Sequence, residues 1–533
     1  MAADRGAARR RNLITRFEPW FLLPAGVPLV FPEVTSPWAQ IAAVTWVVAL
    51  WANRRRSLGR WSHATPLDVP IIALLITLPG AMAVATDTQA AVSRAESLLF
   101  AVALYYALAN SIRTPRHLWS AVTWLLVAGM SVASLGLVLA TWPHKYPILA
   151  AITDPLPRLS ATVPHPTLRG GVQANELAGV LIMFVPMALA LLLWRRGSGD
   201  GDATLEAPLM LRPVAALSLV VVMPVLLLTQ SRGAWLALAA TVVTMAVARV
   251  AWRRRPGGPI ALLVGLAVAS LVVVAVPMAA YTVWGTTSSE ARPEGVARIG
   301  ERMVRWFVGT APGAHVDAPR TGRVALWRDV LEMIAQHPAA GVGLNNFPLE
   351  FGQRPEYEGF FVYAGIPHAH NVYLQAAIDY GVPGFAAVVG LAAALAWAAW
   401  RTARRLWTTP LVPTVVGLAF GVMAYGLHGL VDAVAVGAKP GFLVWALAGT
   451  LVGARRGAHT WSMVTRGGVT PATAAQAPPS AASRRLARPL SGGSRAPASR
   501  ALLVWAGASG AGLVAAAVIG GPRALVAAGI GGA

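Results

Sequence analysis

Cysteine is absent from all 533 residues, which excludes a disulfide framework, a thiolate metal site and a cysteine nucleophile. Charge is scarce as well, 12% of the chain against 56% hydrophobic residues. A water-soluble domain of this length could not remain monomeric and soluble on that balance, so the bilayer is its solvent. Acidic residues are the scarcest charge: 22 Asp and Glu stand against 44 Lys and Arg, a formal net charge of +22. In a soluble protein that excess would point to nucleic acid. Here the arginines gather at the ends of apolar runs, where membrane topology accounts for them, and nucleic acid is set aside as a partner. The HExxH, EF-hand and P-loop spacings are missing, and no tandem repeat of fixed period occurs, so no metal or other cofactor is expected. Asp200-Gly201-Asp202 has the spacing of a metal-binding DxD, yet it lies in a Gly-rich stretch and reads as a polar turn.

What is abundant is apolar length. A hydrocarbon core of roughly 30 Å takes about 20 apolar residues per helix. Such runs occur at 17–32, 37–53, 69–87, 96–112, 117–142, 172–194, 212–229, 233–252, 258–282, 370–400, 409–431 and 439–454, with a further one at 501–520. The fold class is an all-α polytopic integral membrane protein of about 12 transmembrane helices, or about 13 with the last run. The basic start, Met1 to Arg16, resembles a signal-peptide n-region but no small-residue cleavage site follows, so the first helix is read as retained. Arginines then fall in alternate loops: the N-terminus, Arg54 to Arg56, Arg113 with Arg116, Arg195-Arg196, Arg253 to Arg255, Arg401 with Arg404 and Arg405, and Arg455-Arg456. The intervening short loops hold only Arg94, Lys145, Arg158, Arg169, Arg232 and Lys439. The positive-inside rule therefore puts the N-terminus in the cytoplasm and the long segment 283–369 outside the cytoplasmic membrane.

Five regions result. Residues 1–282 are N-terminal transmembrane helices, 283–369 a large helical extracytoplasmic loop, and 370–455 C-terminal transmembrane helices. Residues 456–500, rich in Ala, Pro, Ser and Arg, cannot bury enough surface to order themselves and are expected to be a disordered basic cytoplasmic linker. Residues 501–533 hold a Gly-rich candidate span and a tail.

In the outer loop, Glu294 to Phe307 spaces Val296, Ile299, Met303 and Trp306 as one helical face, with Arg298, Arg302 and Arg305 beside it. That helix would lie on the membrane surface, either anchoring headgroups or walling a lipid-linked phosphate. A second helix, Thr321 to Gln336, is expected to start on a Thr cap, to bury Leu326, Trp327, Val330, Leu331 and Ile334, and to stop at Pro338 and Gly341, with Arg323 and Arg328 projecting. A turn-rich connector, His337 to Phe347, follows, and then Pro367-His368-Ala369-His370-Asn371 leads into a long helix interrupted at Tyr380-Gly381-Val382-Pro383-Gly384.

The run from Arg323 and Trp327 through His337-Pro338 and Gly341-Val342-Gly343 to His368-Ala369-His370-Asn371 and Gly381-Val382-Pro383-Gly384 resembles the signature of the O-antigen ligase and polymerase superfamily. Gly171-Val172-Gln173-Ala174-Asn175-Glu176 and Thr229-Gln230-Ser231-Arg232-Gly233 are similar to its other recurrent motifs. The resemblance covers roughly residues 170–390. It implies a GT-C-like, metal-independent glycosyltransferase of the cytoplasmic membrane with its active site on the extracytoplasmic face. Its expected partners are an undecaprenyl (polyprenyl) diphosphate-linked glycan donor, a glycan or lipid-core acceptor, and membrane lipids. By resemblance the base is His370, and the diphosphate falls to Arg232 with Arg323 or Arg328. Ligase, polymerase and protein O-glycosylation subtypes share these motifs.

The residues support the same chemistry. Histidine, with an ordinary pKa of about 6.5, accepts a proton from an attacking hydroxyl, a contribution of about 10²–10⁴-fold. A diphosphate leaving group needs fixed positive charge, which the planar arginine fork supplies. Arg232, between two apolar spans, either binds phosphate or snorkels to the interface. Arg169 is a further outward-facing candidate. His370 could instead cap a helix; His368 orients substrate or packs; Asn371 orients His370, caps the next helix, or does both. Asn175 supports the site, and Glu176 either pairs with an arginine or, the favoured reading, caps its helix. The stretch Lys145 to Arg169, with His144 and His165, either lines the outer cavity or, the favoured reading, is an ordinary connector. The rival of another class is a transporter or flippase, which tends to carry mid-membrane ionisable residues and broken helices; neither stands out in the sequence.

Overall fold

The computed structural model describes residues 14–15, 17–157, 171–194, 211–254, 323–353, 366–406, 411–432 and 436–467, with 409 and 434. The expected span 258–282, the surface helix at 294–307, Arg169, the Thr321 cap and the run 501–520 lie outside these residues. Six helices in chain order are α1 (Glu18–Val30), α2 (Pro37–Leu58), α3 (Asp68–Ala83), α4 (Thr88–Ser111), α5 (Pro115–Leu139) and the short α6 (Pro147–Thr153). They continue as α7 (Ala174–Leu181), α8 (Phe184–Leu193), α9 (Leu211–Leu228), α10 (Arg232–Arg254), α11 (Arg323–Gln336), α12 (Phe347–Gly352), α13 (Val372–Leu406), α14 (Val412–His428) and α15 (Phe442–Gly467). Among the described residues there is one β ladder, two residues a side: β1 (Ala140–Thr141) runs parallel to β2 (Val172–Gln173), with Ala140 opposite Val172.

Starts are set by local chemistry. Ser36 and Thr114 cap α2 and α5 by accepting from the backbone N–H three residues on, each followed by a proline at the first helical position, and Asp87 caps α4 in the same way. Among the described residues six helical segments are long and apolar enough to cross a membrane: α4, α5, α7 with α8, α9, most of α10, and α13. Helices α3 and α14 are shorter but apolar. The protein is thus a multi-pass, mostly helical membrane protein, and these segments overlap the expected runs, although α4 begins at Thr88 rather than 96 and α13 continues to Leu406 rather than 400.

Helix α4 sits at the centre, packed against α15 and α1, while α8 lies between α9 and α14. Two small-residue seams allow this. A Cβ on Gly449 or Gly453 of α15 would press on the Tyr105 or Leu108 carbonyl of α4, and one on Gly417 or Gly421 of α14 would press on the Met187 or Met183 backbone. Glycines four apart therefore bring helix axes close where the bilayer itself gives no hydrophobic drive to association.

Helix α11, the connector after it and the start of α13 have a separate small core. Leu326, Val330 and Met333 of α11 pack with Val342, Phe347, Phe351, Ala369 and Ile378. Leu331, expected to be buried, is 54% exposed, and Met333 takes its place because the contact stripe follows i, i+4, i+7. The expected break in α13 is present at Gly381, with φ 75° and ψ −177°. The turn after α11 repairs it: Val342 N–H donates to Ile378 O at 2.9 Å and Val382 N–H to Pro338 O at 2.8 Å.

The expected run 172–194 is present as α7 and α8, which form one apolar segment, Ala174–Leu193, through a helical turn at Ile182-Met183. Two expectations need correction. The segment from 456 expected to be disordered begins inside α15, because Ala and Arg continue a helix readily once it has started. Ionisable side chains are also buried within helices: Glu96 of α4 is 0% exposed and Asp379 of α13 is 1% exposed.

Candidate active site

His370 ends the turn that precedes α13, and its backbone is left-handed, φ 48°. Histidine is among the few residues that tolerate this conformation. The turn is pinned on three sides. Trp327 Nε1–H donates to Ala369 O at 3.0 Å, Ala369 N–H to Gln375 Oε1 at 2.7 Å, and Val372 N–H to Gly429 O at 2.7 Å. Asn371 Oδ1 accepts from the Tyr373 and Leu374 N–H groups, and its Nδ2 donates to Leu430 O. Of the two roles considered for Asn371, capping α13 is the one seen.

That pinning aims His370 at Asp432, just beyond α14. His370 Nδ1 lies 2.9 Å from Asp432 Oδ1, and Arg323 Nη2 donates to Asp432 Oδ2 at 2.9 Å. The Asp432 side chain is 1% exposed. Burial alone would raise its carboxyl, but Arg323 and the hydrogen bond from His370 outweigh burial and hold it well below the usual carboxylate range. An ionised carboxylate only accepts hydrogen bonds, so the His370 proton sits on Nδ1 and the Nε2 lone pair is left to accept. Arg323 therefore joins the group, whereas Arg328 lies on the exposed side of α11.

His368 packs edge-on against His370, ring centroids 4.4 Å apart, and its Nδ1 accepts from the His370 N–H at 3.2 Å. Burial, then the neighbouring His370, lowers its pKa to about 3, so it is neutral. Glu176 is the acid in the first turn of α7, and its Oε1 stands 3.7 Å from His368 Nε2. Asn175, next to it in the first turn of α7, makes no polar contact with the His370 group among the described residues.

Arg232 opens α10 beside this cluster. A Cβ on Gly233 would press on the Val431 side chain at 2.8 Å and lie 3.8 Å from Arg323 Nη1, which sets the start of α10 against the residue before Asp432 and beside Arg323. The Thr229-Gln230-Ser231 turn before it bends through a left-handed Gln230, φ 52°. Gln230 clamps the loop after β1: its Nε2 donates to Pro143 O at 2.6 Å and its Oε1 accepts from Tyr146 N–H at 2.9 Å. Lys145, held in that loop, donates to Gln230 O at 3.3 Å. Burial and the charges of Arg232 and Arg323 lower the Lys145 pKa, while Asp432 opposes them. The segment read as a connector thus contributes a cation to the site.

His368, His370 and Asp432 bring three ligand atoms within 4.8 Å of one another, a donor set that could hold a metal. The surroundings oppose it. Both Asp432 oxygens are engaged, and Arg323, Arg232 and Lys145 would repel a dication.

A family model described as O-antigen ligase matches residues 214–389. The matched segment belongs to the O-antigen ligase superfamily. The O-antigen ligase segment runs from α9 through the first part of α13, taking in Arg232, Arg323, His368, His370 and Asn371. Lys145, Glu176 and Asp432 lie outside it, although Lys145 and Asp432 join the same cluster. No curated protein matches the chain.

Asp432 and Lys145 are the residues sequence reading missed. A signal existed for the first: a lone carboxylate directly after an apolar span, in a chain with only 22 acidic residues, is a functional candidate by default. Lys145 gave no comparable signal.

Proposed function

We propose that this protein is a glycosyltransferase of O-antigen ligase type, moving a glycan from a polyprenyl diphosphate to an acceptor hydroxyl on the extracytoplasmic face of the cytoplasmic membrane. The observation that carries the reading is Asp432 bonded through one oxygen to His370 and through the other to Arg323. In the step, the acceptor oxygen attacks the anomeric carbon, its proton passes to His370 Nε2, and the bond from that carbon to the diphosphate breaks with inversion. Asp432 stabilises the imidazolium that results. Arg323, Arg232 and Lys145 receive the charge that develops on the diphosphate, in a half-buried setting where fixed cations act more strongly than in water.

A lipid-linked donor is supported by an apolar cavity of about 390 Å³ between α13, α14 and α15. Val372, Tyr373 and Leu430 line it, each within three residues of His370 or Asp432. The repulsion argued above supports a metal-independent reaction. The family match supports glycan transfer and leaves ligase, polymerase and protein-glycosylating variants open to the choice of acceptor.

The test is release of undecaprenyl diphosphate from a short glycan donor by the detergent-purified protein, with membrane extracts as acceptor and EDTA present. Release that needs acceptor, survives EDTA and collapses in His370→Ala and Arg232→Ala is expected. Full activity in His370→Ala would remove the base assignment; loss with EDTA would restore the metal.

A second reading has a specific observation behind it. Buried Glu96 and Asp379, with the break in α13 at Gly381, are features of transporters. Absence of turnover by folded protein with any acceptor, together with gradient-driven movement of lipid-linked glycan in vesicles, would favour it.

A further inference from the structure

Beside the base stands a buried donor with nothing to bond. His368 is 6% exposed, and its Nδ1 is taken by the His370 N–H at 3.2 Å. In a neutral imidazole, an accepting Nδ1 puts the ring proton on Nε2. That Nε2–H is shut away from solvent and makes no hydrogen bond among the described residues. Across from it is half-buried Glu176, whose Oε1 is 3.7 Å away and which makes no hydrogen bond among the described residues either. An orphaned buried donor facing an idle acceptor is the arrangement a ligand completes.

A separation of 3.7 Å is too long for a direct hydrogen bond. One hydroxyl oxygen about 2.8 Å from each group would bridge them, accepting from His368 Nε2–H and donating to Glu176 Oε1. Both walls are held in place. Helix α7 is tied at its start by the β1–β2 ladder, where Thr141 Oγ1 donates to Val172 O at 3.4 Å. One turn after Glu176, a Cβ on Gly179 would press on Val434 and on the His428 ring, so α7 is docked against both sides of Asp432. His368 is fixed through the turn that it shares with His370.

Charge says which substrate the pair serves. Arg232, Arg323 and Lys145 suit a diphosphate, and Glu176 forms an ion pair with none of them. A carboxyl group would repel the diphosphate, whereas a neutral hydroxyl gains from an acceptor. The His368 and His370 rings are 4.4 Å apart between centroids, so two hydroxyls of one sugar ring can reach both.

We propose that Glu176 and His368 form an acceptor subsite, holding a second hydroxyl of a sugar whose neighbouring hydroxyl gives its proton to His370. The assignment rests on the transfer reaction proposed above. A serine or threonine side chain has a single hydroxyl and nothing left for the subsite, so the acceptor is a glycan or a glycolipid, not a protein.

The test follows undecaprenyl diphosphate release by the full chain in detergent, against dilutions of membrane extract and, separately, of the short glycan donor. Glu176→Gln removes the carboxylate and keeps its shape. His368→Asn keeps, through Oδ1, the acceptor that the His370 N–H needs and removes the Nε2–H. Each should raise the extract concentration giving half-maximal rate about tenfold and the donor KM less than about twofold. Periodate, which cleaves neighbouring diols, should abolish the acceptor activity of the extract, and protease should not. An unshifted acceptor constant, an equal rise in both constants, or an acceptor that resists periodate and yields to protease overturns the subsite and leaves the transfer reaction standing. Folded wild type without acceptor-dependent release overturns both. Should one variant lose its unfolding transition, the other decides by the same shift.

Discussion

Replacing Asp432 by Asn changes no volume and removes one charge, and it tests the central geometry more sharply than truncating the base. An amide offers one acceptor and one donor. If its oxygen faces Arg323, its NH₂ faces His370 Nδ1 and imposes the tautomer whose Nε2 carries the proton and cannot act as a base. If its oxygen faces His370, its NH₂ meets the Arg323 guanidinium, two donors against each other. Either arrangement loses the base for most of the time, and the imidazolium formed on proton transfer loses its counter-charge. The corresponding change in a Ser-His-Asp triad costs about 10⁴ in kcat. With Arg323 still beside the site, we expect a fall of about 10²–10⁴ in kcat for Asp432→Asn, roughly 2.7–5.5 kcal/mol at 1.36 kcal/mol per decade.

The donor KM should change little, because Asp432 contacts His370 and Arg323 and not the donor. That split distinguishes positioning from general damage to the fold. The assay is steady-state release of polyprenyl diphosphate, with an unfolding midpoint for each variant. Groups acting as one unit are not additive, so Asp432→Asn/His370→Gln should fall no further than His370→Gln alone. A kcat for Asp432→Asn within threefold of wild type, or losses that simply multiply in the double variant, would refute the dyad.

Lys145→Gln should raise the donor KM about tenfold, the scale of one lost charge-assisted contact, and Gln230→Ala should move it the same way by releasing the loop; an unchanged KM in both removes Lys145 from the site. Gly381→Ala places a side chain where φ is 75° and ψ −177° and where a Cβ would collide with the Ala339 carbonyl; a loss of about 3 kcal/mol or more is expected, read as failed expression or a collapsed midpoint. His63 supplies a pH dependence. Its folded pKa, about 3, lies below the unfolded value, so its contribution is fully present above about pH 6.5 and is lost as pH falls from there toward about 3. Unfolding midpoints measured between pH 7 and 5 should fall less steeply in His63→Gln than in wild type.

The helical layout was legible because membrane spans declare themselves by length and the outer helix by its 3.6-residue stripe. The break in α13 was legible as well, since Gly-Val-Pro-Gly cannot continue a regular helix. His370 and Arg232 stood out as polar groups at apolar boundaries. Arg323 and Arg328 could not be separated, because five positions along a helix is more than one turn and only docking of α11 through Leu326, Val330 and Met333 decides which arginine faces Asp432. Lys145 was unreadable for a related reason. Nothing local marks it, and its place depends on Gln230, 85 positions away. Asp432 lies 62 positions from His370, too far for any local spacing to link the two.

Among the described residues three non-glycine residues have left-handed backbones: Gln230, Asn345 and His370. Each costs about 1–3 kcal/mol in isolation and persists only where its surroundings over-determine it. Gln230 is held through its bonds to Pro143, Lys145 and Tyr146, and Asn345 through Asp379, Ala90 and Arg94. His370 is held through His368 and Asp432. The first and third aim a cation and a base at one carboxylate. The second fixes the connector that repairs the α13 break at Gly381. Strain concentrated at these junctions is what a site built from separate chain segments requires, since ordinary turns would leave Lys145, Arg232 and His370 free to point elsewhere. Relaxing any one of them should therefore loosen the site before it unfolds the bundle.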